Sequence, residues 1–152
     1  MKQMVVGMLV SFLLLGLAGC NGQLRVREPR QELSVNPVRL DSGMVDVEIK
    51  YVVSNPDKNP VTFTFPTSKQ WDAWVIANGR EVFRESAGKM YTQAFTNLTL
   101  QPGESKEFST TWKLSLASEA YQPGTKFEVH AGLATKDLAP LSVTAVPVVA
   151  GD

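Results

Sequence analysis

The chain has 152 residues, a length that suggests a single domain, and its apolar fraction of 43% is ordinary for a globular protein. Its 15 basic and 15 acidic side chains cancel, and no run of like charge occurs. The sequence therefore does not predict a nucleic-acid surface, which needs a clustered basic face. The chain has one cysteine, so it has no internal disulfide.

The first 19 residues have the features of a bacterial lipoprotein signal peptide. Lys2 supplies a positive charge, an apolar stretch covers residues 4–17, and the sequence LAGC at residues 17–20 resembles a lipobox. The apolar stretch is shorter than the roughly 18–20 residues that a membrane-spanning helix needs. We therefore expect cleavage before Cys20 and attachment of lipid, including palmitate, to Cys20. The alternative is an ordinary signal peptide that happens to contain a cysteine.

The mature chain divides into a short tether and one folded domain. Residues 20–32 are polar after the cysteine, and we interpret them as a lipidated N-terminus and flexible tether. The domain is expected to cover residues 33–152. This organisation predicts a protein of the bacterial cell envelope, held to a membrane on the exported side.

Alternating apolar and polar residues predict β-strands along the domain. Strands are predicted at residues 44–53, 61–65, 95–100, 107–116, 126–133 and 141–149, with a hairpin at 74–83. Turn signals separate them, including the two Gln-Pro-Gly sequences at residues 101–103 and 122–124. About eight short strands without a helical pattern predict an all-β fold, an antiparallel immunoglobulin-like β-sandwich. A small barrel is the alternative.

The sequence Asn78-Gly79 predicts a tight hairpin turn and with it a strand register. The predicted pairs are Ala77–Arg80, Ile76–Glu81, Val75–Val82 and Trp74–Phe83. Because directly opposite residues share a face, Trp74 and Phe83 would form an outward aromatic patch with a charged rim. Such a patch is a candidate partner surface, and its burial under another strand or loop is the competing interpretation.

Two features of the sequence resemble catalytic sites only superficially. Ser86 and Lys89 have Ser-x-x-Lys spacing, but Gly88 between them predicts a loop, and the companion Ser-Asp-Asn and Lys-Thr-Gly motifs are absent. His130 is the only histidine, and strand alternation places it in solvent beside Lys126 and Glu128. One histidine and an acylated cysteine do not make a usual zinc site. We therefore expect no enzyme activity, no cofactor and no metal site.

Four stretches, taken in order, resemble the BsuPI-type intracellular proteinase inhibitor family. They are FTFPTSKQWDAWV at 63–75, NGREVFRESAGKMYTQAF at 78–95, LTLQPGESKEFSTTW at 98–112 and YQPGTKFEV at 121–129. The resemblance implies an immunoglobulin-like sandwich and a role in blocking serine proteases by protein–protein binding. It does not identify a reactive loop residue by residue.

Two loops are candidates for contact with a protease. One contains Pro66, Thr67, Ser68 and Lys69, and the other contains Ser86, Lys89 and Met90. The predicted hairpin register places Trp71 opposite Ser86, so both loops are expected at the same end of the sandwich. The alternative function is that of a non-inhibitory accessory lipoprotein, which would bind an envelope protein complex through Trp74 and Phe83.

Overall fold

The computed structural model describes residues 27–39, 43–119, 121–122 and 124–145, and these residues form nine strands and no helix. The strands are β1 (Arg30–Arg39), β2 (Met44–Ser54), β3 (Val61–Phe65), β4 (Trp71–Ala77), β5 (Arg80–Arg84), β6 (Thr96–Leu100), β7 (Ser105–Ser115), β8 (Phe127–Leu133) and β9 (Leu141–Ala145). Within these ranges no helix is long and apolar enough to cross a membrane. The predicted signal peptide, Cys20 and the first part of the tether lie outside the described residues.

All strand pairs are antiparallel, and they form three sheets. The strand orders are β1-β2-β7, β3-β6 and β5-β4-β8-β9. Buried side chains from all three sheets meet in one hydrophobic core, so the arrangement is an open, sandwich-like all-β fold. This confirms the predicted fold class, while the immunoglobulin-like topology stays a prediction.

Strand β2 shows why the alternation in the sequence was a reliable signal. Every second residue, from Val45 to Val53, is apolar and at most 3% exposed, whereas the residues between them are half-buried. The buried set is Val45, Val47, Ile49, Tyr51 and Val53. Strand β8 follows the same rule on its predicted inward face, with Phe127, Val129, Ala131 and Leu133 buried. Full burial of each valine, isoleucine, leucine or phenylalanine among them stabilises the fold by roughly 1.5–3 kcal/mol relative to exposure to water.

Strand β1 was not predicted, and it starts inside the segment assigned to the tether. It begins at Arg30 rather than near Leu33 and pairs with β2 along its whole length. The hydroxyl of Tyr51 on β2 donates a hydrogen bond of 2.7 Å to Gln31 Oε1, which ties the start of β1 to the core. Because β1 is an edge strand, Leu33 and Val35 are only half-buried, and the polar side chains beside them resemble those of a linker.

The predicted turns are present at the positions that glycine marks. Asn78 and Gly79 have φ values of 50° and 74°, as a type I′ hairpin turn requires. Gly103 has a φ of 77°, and a hydrogen bond of 2.9 Å from Glu104 N to Gln101 O closes a type II turn. At the second Gln-Pro-Gly sequence, Thr125 N donates to Gln122 O at 2.8 Å, and Pro123 lies outside the described residues.

The predicted register of the β4–β5 hairpin is correct near the turn and wrong beyond it. The structure pairs Ala77 with Arg80 and Ile76 with Glu81, then Val75 with Phe83 and Trp74 with Arg84. A β-bulge between Val75 and Ile76 places one extra residue, Val82, on the β5 side. A single inserted residue moves every later side chain to the opposite face.

The bulge removes the predicted aromatic patch. Phe83 packs inward against Trp112, with ring centroids 6.2 Å apart, while Trp74 lies on the other face of the sheet. The interpretation of Trp74 and Phe83 as one exposed partner surface is therefore wrong. The same shift places Asp72, rather than Trp71, beside Ser86.

Candidate functional site

Two loops meet at one end of the molecule, which we call the loop end. The 66–70 loop joins β3 to β4, and the 85–95 loop joins β5 to β6. Ser68 N donates to Thr92 O at 3.1 Å, and Thr92 N donates to Ser68 Oγ at 2.9 Å. Thr96 Oγ1 donates to Thr67 O at 2.8 Å. The expected proximity of the two loops is thus confirmed, although the register that predicted it was off by one residue.

The carboxylate of Asp72 lies under both loops and binds groups from each. Asp72 is 5% exposed. Its Oδ2 accepts hydrogen bonds from Ser86 Oγ at 2.8 Å, from Arg84 Nη1 at 3.0 Å and from Lys69 Nζ. Its Oδ1 accepts from Ser86 N at 3.2 Å and from Ala73 N at 3.0 Å. One buried acid thereby ties the 66–70 loop to the start of the 85–95 loop.

The charge of Asp72 is balanced by its surroundings. Burial raises the pKa of Asp72, but hydrogen bonds from Lys69, Ser86 and Arg84 outweigh burial, so its pKa lies below the usual aspartate value. The side chains of Lys69 and Arg84 are 26% and 35% exposed, so both cations keep part of their hydration. The site therefore holds an ionised carboxylate at neutral pH.

Arg84 connects Asp72 to the outer face of the sheet. Its guanidinium donates to Glu81 Oε1 at 2.9 Å and stands 5.1 Å from the ring centroid of Trp74. The hydrogen bonds to Glu81, followed by those to Asp72, raise the pKa of Arg84. On its other side, the ring of Trp74 stacks on His130, with centroids 5.1 Å apart and ring planes 2° from parallel.

The prediction of a solvated His130 is wrong. Its side chain is 21% exposed because Trp74, its cross-strand neighbour on β4, covers one face of the ring. His130 Nε2 is buried and has no hydrogen-bond partner among the described residues, and it lies 3.7 Å from Glu128 Oε2. Strand alternation gave the correct face of β8 but did not reveal how much of that face the tryptophan covers.

Ser86 and Lys89 do not form a serine–lysine pair. The Ser86 hydroxyl donates to Asp72 and accepts a hydrogen bond of 3.2 Å from Lys69 Nζ, whereas Lys89 Nζ donates to Glu85. The hydrogen bond that Lys89 donates to Glu85 outweighs the opposing effect of burial and raises the pKa of Lys89. Ser86 thus joins the loops to the sheet. The lysine that donates a hydrogen bond to its hydroxyl is Lys69, not Lys89, which the sequence spacing indicated.

Two large apolar side chains are exposed in the 85–95 loop. Met90 is 99% exposed and Phe95 is 79% exposed. No other large apolar side chain among the described residues is as exposed as these two. Met90 is one of the sequence candidates for contact with a protease. Phe95 is not, because the sequence pattern assigns it to the first position of the strand predicted at 95–100. The alternation of Leu98 and Leu100 already placed Phe95 off the inward face.

A third loop, residues 134–140 between β8 and β9, also reaches the loop end. Ala134 N donates to Gln70 O at 2.9 Å. A shallow cavity of about 430 Å³ lies between this loop and the 66–70 loop, with Pro66, Lys136 and Asp137 among its lining residues. Sequence reasoning assigned no role to the 134–140 loop.

Other parts of the described structure contribute little to this site. Within the described ranges, His, Cys, Asp and Glu side chains form no group that could hold a metal ion. An apolar cavity of about 400 Å³ opens between β1 and β9 and is lined by Phe127 and Ala145, where β8 begins. The loop end lies at the other end of β8, beyond Leu133, so this cavity is separate from the site.

The solved structures that align with this chain share little of its sequence. A β-glucuronidase from Bacteroides uniformis aligns with 13% identity and a TM-score of 0.47, over 74% of this chain and 12% of that chain. A protein from Archaeoglobus fulgidus aligns with 12% identity and a TM-score of 0.42, over 75% and 92% of the two chains. Spo0M, a sporulation control protein from Bacillus subtilis, aligns with 18% identity and a TM-score of 0.38, over 77% and 47%. This chain spans about an eighth of the glucuronidase, and similarities at this level identify no function.

The family comparison is more specific than the structural one. No curated protein matches the chain. The family described as BsuPI, intracellular proteinase inhibitor, matches residues 34–138, which include β2 to β8, both loops and the Asp72 site. The match covers more than half of the chain and extends beyond the four stretches noted in the sequence. The chain therefore belongs to the BsuPI intracellular proteinase inhibitor family.

Proposed function

We propose that this protein is an exported lipoprotein that inhibits or modulates a serine protease by binding it with the loop end. Membership of the BsuPI family supports a protease as the partner. The lipobox-like sequence at residues 17–20 supports attachment to a membrane of the cell envelope through Cys20. Together these features describe an inhibitor held at the membrane by the short segment that precedes β1.

The observation that carries the proposal is the internal bonding of the loop end. The two loops are joined by hydrogen bonds between Ser68 and Thr92, and both are bound to the buried carboxylate of Asp72. A loop that is ordered before binding loses less conformational entropy when a partner binds it. Such order is what a surface needs if it is to occupy a protease cleft without rearranging.

The candidate residues divide into a contact set and a supporting set. Met90 and Pro66 are exposed and available for contact with a partner. The supporting set forms hydrogen bonds within the loop end and consists of Ser68, Lys69 and Ser86. In this proposal the supporting set fixes the shape of the surface, and the contact set lies within an interface of standard size, roughly 1,600 Å² in total.

Inhibition is tested with a soluble chain that begins at Asn21 and so retains every described strand. It is titrated against a subtilisin-like and a trypsin-like serine protease, and its intact mass is measured afterwards. The proposal predicts stoichiometric inhibition of one protease, with the chain uncut or cut at one bond in the loop end. The proposal would be contradicted if both proteases kept full activity, or if the chain were cleaved at many bonds.

Membrane attachment needs a separate test, because inhibition does not depend on it. The full-length chain is expressed in bacteria with a labelled palmitate analogue, beside Cys20→Ala. We expect label and membrane association for the natural sequence and neither for the variant. Label on Cys20→Ala, or an unlabelled natural sequence, would show that the lipobox interpretation is wrong.

A further inference from the structure

We infer that Met90 is the side chain that enters the primary pocket of the target protease, and that this pocket is apolar and uncharged. The inference rests on the proposed inhibitory function and assigns its specificity to one residue. It is carried by the exposure of Met90, by the backbone bonds on either side of it, and by the pairing of the neighbouring lysines.

The backbone around Met90 is held on both sides while its side chain is free. Before it, Ala87 N donates to Arg84 O at 3.1 Å and Lys89 N donates to Ser86 O at 3.2 Å, so a closed turn precedes Met90. After it, Thr92 N is bound to Ser68 Oγ at 2.9 Å. Met90 lies between these fixed points with 99% of its surface exposed.

The two lysines of the candidate loops are already paired within the molecule. Lys69 Nζ binds Asp72 at the base of the loop end, and Lys89 Nζ binds Glu85. Either lysine would have to break an ion pair before it could enter an acidic pocket. Met90 has no such cost, because its thioether makes no contact that binding would remove.

A second apolar side chain, Phe95, is exposed in the same loop. No other large apolar side chain in the described part of the chain is as exposed as Met90 and Phe95. Methionine is unbranched and flexible, so it fills deep, irregular apolar pockets. A partner whose cleft has an apolar primary pocket fits this loop.

The experiment compares substitutions of Met90 in the chain that begins at Asn21. The variants are Met90→Ala, Met90→Leu and Met90→Lys, measured against a subtilisin-like protease with an apolar pocket and a trypsin-like protease with an acidic one. Arg80→Ala is the control, because Arg80 is exposed at the tip of the hairpin, at the other end of β4 from Asp72. Thermal unfolding of each variant checks that the fold is intact.

We expect the natural chain to inhibit the apolar-pocket protease and Met90→Leu and Arg80→Ala to inhibit it equally well. Met90→Ala should weaken inhibition at least about tenfold, the effect of losing a buried contact residue. Met90→Lys should lose that inhibition and gain inhibition of the trypsin-like protease.

Three results would overturn the inference. If the natural chain inhibits a protease and Met90→Ala and Met90→Lys match it, another residue fills the pocket, although the proposed function stands. If the natural chain inhibits only the trypsin-like protease, the pocket class is wrong. If it inhibits neither, the proposed function fails and the inference fails with it.

Discussion

At the scale of single residues, Asp72 decides the structure of the loop end. Its carboxylate accepts hydrogen bonds from Lys69, Arg84 and Ser86, and the family match includes it. In the sequence, Asp72 lies within the family-like stretch at 63–75, and no pattern there marks it as the centre of a network. The network could not be predicted, because Arg84 and Ser86 reach Asp72 only through the register shift that the bulge introduces.

Replacing Asp72 with asparagine should lower the free energy of unfolding by about 2 kcal/mol at pH 7. This is less than the roughly 3–5 kcal/mol for a fully buried ion pair, because Lys69 and Arg84 are partly hydrated. Urea unfolding measures the change, with Glu107→Gln as a control that removes an exposed ion pair to Lys50. Equal stability of Asp72→Asn and the control would show that the network does not hold the loop end.

The same residue predicts how stability depends on pH. Because the pKa of Asp72 is lowered in the folded state, its ionisation stabilises the fold above the unfolded value of about 3.9. That contribution is lost as the pH falls through the lowered folded pKa. Urea unfolding at several pH values should therefore show the gap between the natural chain and Asp72→Asn closing below about pH 4. A gap that stays constant down to pH 2 would contradict this assignment.

At the scale of elements, the central strands could be predicted and the irregular ones could not. Strand β2 alternates strictly because one of its faces is buried along its length. Strand β1 is an edge with half-buried side chains, so its pattern is weak. The bulge in the β4–β5 hairpin leaves no mark in the sequence, because Asn78-Gly79 fixes the register only next to the turn.

The bulge turns Phe83 toward the core, and this orientation can be tested by substitution. Since Phe83 packs against Trp112 in the structure, Phe83→Ala should destabilise the protein by about 2–3 kcal/mol, somewhat less than a fully buried phenylalanine would. Phe95→Ala is the matched control, because Phe95 is exposed and its loss should change the free energy of unfolding little. If the two variants unfold at the same urea concentration, Phe83 faces outward and the simple hairpin register is correct.

The start of β1 at Arg30, three residues before the expected start of the domain, can also be tested. A chain that begins at Leu33 lacks the first three residues of β1, Arg30, Gln31 and Glu32, and with them the hydrogen bond from Tyr51 to Gln31. It should be about 1–2 kcal/mol less stable than a chain that begins at Asn21, at roughly 1 kcal/mol for each hydrogen bond lost. Thermal unfolding of the two chains gives the comparison. Identical midpoints would mean that residues 30–32 belong to the tether after all.

At the scale of the whole molecule, the all-β class and the meeting of two loops at one end were predictable. Both follow from patterns that repeat along the chain, namely period-two alternation and glycine-marked turns. The nearness of the 134–140 loop was not predicted, because it depends on how the sheets pack. The fold thus brings together at the loop end residues that are far apart in sequence.

The most direct test of this account is hydrogen–deuterium exchange on the chain that begins at Asn21, alone and with a serine protease whose catalytic serine is replaced by alanine. Binding without cleavage isolates the contact surface. We expect slower exchange in residues 66–70 and 85–95 and no change at the Asn78-Gly79 hairpin tip. Slower exchange at the hairpin tip or along β1 with none at the loop end would contradict it, and so would no change anywhere in the chain.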